Sequence, residues 1–122
     1  MADPSAEALF EGRPGSLRLF RTIRRAVERL DGVTVVASKS QVSFRARRAF
    51  AWVWLPQRYT GNRPPESVTL TISLDHELVD ERIAEAVQPR PGRWTHHIVI
   101  ERSKDFDATV KRWLREAHER AR

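Results

Sequence analysis

The sequence predicts an α+β fold: a mostly antiparallel sheet of four to five strands, with N- and C-terminal helices packed on one face. Three observations carry this. Apolar residues recur at helical spacing near both ends of the chain. Between those ends they alternate with polar ones at strand spacing. Gly32, the GNRPPE stretch at 61–66 and the Pro89 to Gly92 stretch break the chain between the periodic runs. With 122 residues, the chain is expected to form one domain over 1–122 with a single core.

Residues 5–11 read as a short helix ending at Gly12. Pro14 suits the first position of a longer helix running to Leu30. Phe20, Ile23, Val27 and Leu30 form its buried stripe, and Arg18, Arg21, Arg25 and Arg29 lie mainly off that stripe, in solvent. Asp31-Gly32 stops it. VTVVA at 33–37 reads as an additional edge strand, and QVSFRAR at 41–47 alternates cleanly. AFAWVWL at 49–55 is apolar on both sides, which marks a central strand. SVTLTISL at 67–74 alternates again, with Val68, Leu70, Ile72 and Leu74 against Thr69, Thr71 and Ser73. DERIAEAV at 80–87 predicts a short helix, and WTHHIVI at 94–100 a strand. The final helix carries Phe106, Val110, Trp113 or Leu114, and Ala117 on its apolar stripe, with Ser103 or Asp105 as its cap. Arg120 and Arg122 suit its C-terminal end.

Four pieces of the chain resemble a known family: ALFEGRPGSLRLF, SKSQVSFRARRAFAWVWLPQRY, AVQPRPGRWTHHIVI and VKRWLREAHERA. The family is the bacterial one catalogued as "domain of unknown function 5655", and the resemblance covers nearly the whole chain. It implies an accessory or binding module and supplies no catalytic or ligand-binding residue.

The absence of cysteine excludes disulfides, thiolate metal sites and cysteine nucleophiles, and fits a reducing cytoplasm. The N-terminus has no secretory pattern, and no stretch approaches the roughly 20 apolar residues of a membrane span. The formal charge of +6 is unevenly spread, with residues 13–63 holding twelve bases against two acids. Such a field favours anionic partners, although 19 of the 22 bases are arginine, a bias that genome composition alone can produce.

His76, His96, His97 and His118 show no metal-ligand spacing, and adjacent strand residues His96 and His97 point to opposite faces. No metal and no cofactor is therefore expected. Ser38, Ser40 and Ser43 lie near Lys39, and a Ser–Lys pair can act as nucleophile and base only when the lysine is desolvated. Ordinary turn chemistry explains these residues better, so an enzyme acting through Lys39 or His97 ranks last. Asp80, Glu81, Asp105 and Asp107 sit where helices are expected to start and offset their dipoles.

The remaining feature is FRARRAFAWVW at 44–54, where Phe50, Trp52 and Trp54 recur at every second position. With a two- or four-residue hairpin loop, these rings share the outer face with Ser43 and Arg45. With a three-residue loop they join Val42, Leu70 and Ile98 beneath the helices. Burying a large aromatic side chain stabilises by roughly 2–3 kcal/mol, and this favours the core arrangement. The outer arrangement would unite Trp52, Trp54, Thr71 and His97 with Lys39, Arg45, Arg47 and Arg48, and Arg58 and Arg63 would extend the positive zone. Rings that stack on bases beside guanidinium groups form a binding face for nucleic acid or a nucleotide. A protein-interaction or homodimerisation domain is the alternative.

Overall fold

Both terminal helical regions form in the computed structural model, which describes residues 4–55 and 66–122. Helix α1 spans Pro4–Ala8 and α2 spans Pro14–Val27, with Pro14 in its first turn as expected. The helix stops at Val27, short of Leu30, and the chain turns through Gly32 at a φ of 65°. That left-handed backbone suits glycine. Phe20, Ile23 and Val27 are fully buried. The α2 N-terminus is held from the far side of the chain: Gly15 N–H donates to Glu66 Oε1 at 2.6 Å. A carboxylate there satisfies an orphan donor and complements the helix dipole.

The sheet contains strands β1 (Thr34–Ala37), β2 (Gln41–Arg45), β3 (Ala49–Trp54), β4 (Val68–Leu74), β5 (Ile83–Arg90) and β6 (Arg93–Ile100). Their order is β1-β2-β3-β4-β6-β5, and every neighbouring pair is antiparallel. The described residues thus form six strands, above the expected four to five. The extra one is β5, at 83–90, where the sequence predicted a short helix over 80–87. Pairing with β6, Ile83 opposite Ile98 and Ala86 opposite His96, overrides the helical preference of Ala and Glu.

A 3₁₀ turn at Ser103–Asp105 leads into helix α3, Ala108–Ala121. The cap of α3 is Asp107, two residues beyond the expected Asp105, and it accepts from Val110 N–H at 3.0 Å. Asp105 instead closes the preceding turn by accepting from Glu101 and Arg102 N–H. Val110, Trp113, Leu114 and Ala117 are buried together with α2 and the inner sheet residues Val42, Phe44, Val53, Leu70, Ile72 and Ile98. One core therefore lies between the helices and one face of the sheet.

Candidate binding face of the sheet

The β2–β3 hairpin decides which way the aromatics point. Arg45 pairs with Ala49, so three residues, Ala46 to Arg48, lie between the paired positions. Phe44, however, pairs with Ala51, which leaves Phe50 as an extra residue on β3. This bulge restores the parity of a four-residue loop. Ser43 then pairs with Trp52 and Gln41 with Trp54, while Val42 pairs with Val53. The tryptophans stand on the outer face, not in the core that the burial argument favoured. Phe50 is parted from them: it is buried, and its ring meets His118 of α3 edge-on at 5.4 Å. The three rings do not share a face.

One complete rung of the outer face crosses all six strands: Val36, Ser43, Trp52, Thr71, His97 and Glu85. Thr71 Oγ1 lies 2.7 Å from His97 Nδ1, and His97 Nε2 lies 4.0 Å from Glu85 Oε1. The next rung holds Gln41, Trp54, Thr69 and Val99. Trp52 and Trp54 are half-buried, and Thr69 and Thr71 are buried. The register sets these short hydroxyl side chains between taller Trp, His and Val neighbours. The surface therefore offers two half-buried indole rings on adjacent rungs, with the His97 imidazole held by the buried Thr71 hydroxyl on the rung of Trp52.

The expected cations are distributed differently. Arg45 is exposed and follows Ser43 by two positions on β2, at the margin of this face. Lys39 is exposed in the β1–β2 turn, at the opposite end of β2 from the β2–β3 turn. There Ser38 N–H and Oγ both donate to Gln41 O, so Ser38 serves the turn. Lys39 and His97 lie three strands apart in the sheet order β2-β3-β4-β6 and do not converge. Arg47 and Arg48 hold the end of α3: their backbone N–H groups donate to Ala121 O, and Arg48 Nη2 donates to Arg120 O. Arg58 and Arg63 lie outside the described residues.

The inner face carries the other adjacent histidine. His96 is fully buried, and its Nε2 accepts from Leu78 N–H at 2.9 Å. Its Nδ1 then carries the proton and faces Ile72 O at 3.4 Å. Burial holds its pKa below the usual histidine value, and the nearby His76 acts in the same direction. His76 itself contacts Asp75 and Glu116, and His118 donates to Asp31 O at 2.7 Å. Among the described residues, no group of His, Asp and Glu is arranged to hold a metal ion. No described helix is long and apolar enough to cross a membrane.

A second feature escaped the sequence reading. Arg25 and Arg29 of the α2 end and Lys111 and Arg115 of α3 line a cavity of about 450 Å³ over Ala26, Leu30 and Leu114. Each helix region contributes an i,i+4 pair of cations, which is the signal that spacing carried and that a solvated-face reading passes over.

Comparison with curated proteins and with solved structures returned no match. Residues 6–121 match the family model described as "Domain of unknown function (DUF5655)", and the chain belongs to that family.

Proposed function

We propose that the protein is a non-enzymatic binding module for an anionic ligand, nucleic acid or a nucleotide, engaged through the outer face of the sheet. The observation that supports it is the register of β3, which sets Trp52 and Trp54 beside Thr71 and His97 and away from the helices. Indole rings stack on bases without regard to sequence, and Arg45 at the margin favours phosphate. The cysteine-free composition suits a cytoplasmic setting. A second reading, a protein-interaction or homodimerisation surface, draws on Val36 and Val87, which are exposed on this same face.

Titration with a single-stranded oligonucleotide at low salt tests the first reading. Tryptophan fluorescence is expected to fall on binding, with affinity dropping steeply as salt rises. Trp52→Leu and Trp54→Leu keep apolar bulk and remove the stacking ring, and each weakens binding by about 1–3 kcal/mol. Unchanged fluorescence together with no mobility shift overturns this reading. Sedimentation across a concentration series then decides whether the face pairs with a second copy.

A further inference from the structure

Four arginines from three parts of the chain converge where β3 begins, β4 ends and the β5–β6 turn closes. Arg48, Arg90, Arg93 and Arg120 line a cavity of about 120 Å³ with Ala49, Phe50, Ser73, Ala117 and Ala121. No carboxylate is among these lining residues. Asp75 acts on Arg120 only through space. We propose that this cluster is a binding site for a phosphate or phosphomonoester dianion.

Two of the four arginines have a structural task. Arg48 Nη2 donates to Arg120 O at 3.1 Å, and Arg120 Nη2 donates to Gly92 O at 3.0 Å. These bonds fasten the end of α3 to both hairpin turns, and cations there complement the helix dipole. That account does not reach Arg90 and Arg93. They pair directly across the Pro91–Gly92 turn, where Gly92 takes a φ of 78°. Like charges directly opposed on a hairpin are destabilising, and an anion bound between them would offset that cost.

Arg93 gives the second, independent indication. Its Nε is buried and has no hydrogen-bond partner among the described residues. A buried guanidinium N–H left without an acceptor is costly, and an oxyanion in the adjoining cavity supplies that acceptor. The guanidinium fork matches phosphate geometry in pairs of parallel bonds. The cavity is well below the about 300 Å³ at which pockets for larger organic ligands begin, so it suits a single tetrahedral group. The Ser73 hydroxyl lines the same cavity and can complete the donor set.

This site stands at the start of β3, whereas Trp54 ends that strand, so it neither needs the tryptophan face nor fails with it. Calorimetric titration of the full chain with inorganic phosphate, at constant ionic strength against chloride, is the test. Saturable binding is expected for phosphate and not for chloride. Arg90 is exposed, so Arg90→Gln folds, and it weakens phosphate binding by about tenfold or more. In chloride alone the same variant melts at or above the unsubstituted protein, and phosphate reverses that order. Equal phosphate affinity in the two proteins, or phosphate no better than chloride, overturns the site. An oligonucleotide with a 5′-phosphate then competes with inorganic phosphate if the ligand is a chain-terminal phosphomonoester. Competition lost with the 5′-hydroxyl form assigns that source, and no competition by either assigns a small free anion.

Discussion

The two faces of the sheet follow opposite rules, and each carries an exception to its own. The inner face is Val42, Phe44, Val53, Leu70, Ile72, Ile98 and Ile100, sealed by α2 and α3, with the polar His96 in its midst. The outer face is Ser43, Thr69, Thr71, Thr95 and His97, with the apolar Trp52 and Trp54 in its midst. The inner exception is fully accommodated, because Leu78 N–H and Ile72 O flank both ring nitrogens of His96. The outer exception is of another kind, since the indole rings are half-buried on a face the helices do not cover. The buried exception is held by the fold on both sides of its ring, and the half-exposed one is where the proposed function looks for a ligand.

The contrast is broken most directly at the centre of β4. Leu70→Ala opens a cavity in the core and is expected to cost about 2–5 kcal/mol, read from urea denaturation. A next, smaller effect belongs to His96→Leu, which leaves Leu78 N–H without its acceptor at a cost of about 1–3 kcal/mol. The same variant changes the pH dependence. His96 has a folded pKa depressed below its ordinary 6.5, chiefly by burial, so between the two values the unfolded chain binds more protons. Its contribution to stability is therefore present above about pH 6.5 and is lost as pH falls through that value toward the folded pKa. The bond to Ile72 O and, less, nearby Glu77 oppose the shift, and His76 adds to it. Denaturation midpoints between pH 5 and 8 should show this slope in the unsubstituted protein and a shallower one in the variant. The smallest effect is expected on the outer rung. Thr71→Val removes the bond to His97 and should cost about 0.5–1.5 kcal/mol by the same urea measurement. An outer-rung cost as large as that of Leu70→Ala would erase the distinction between the faces.

What could be read from the residues differs from element to element. The alternation of residues 67–74 places every β4 side chain on its observed face, because a strand buried against helices on one side writes that pattern openly. The stripes of α2 and α3 were nearly as plain, although the expected Leu30 and Phe106 fall outside the helices. The orientation of Trp52 and Trp54 was not, since it depends on Phe50 bulging out of register, and no local residue type announces a bulge there. Segment 83–90 was misread because an edge strand with few inward apolar residues lacks a strong period of two. The candidate face was legible in Trp52, Trp54, Thr71 and His97, which the sheet brings together. Arg47 and Arg48 were grouped with it from nearness in sequence, and the turn sets their backbone N–H groups, with the Arg48 side chain, against the end of α3. The four-arginine cavity draws on residues 48, 90, 93 and 120, and only tertiary structure joins positions so distant along the chain.

The two margins of the sheet constrain how copies of this protein can meet. Strand β1 is four residues long, which gives an incoming strand little to pair with. Strand β5, at the other margin, shifts register twice and carries Pro89, which has no N–H to offer. Irregular, proline-bearing margins discourage one sheet from continuing into another. Self-association by strand addition is thereby disfavoured at both ends. A pairing of two copies, if the interaction reading holds, would run through a face of the sheet and not along its edges.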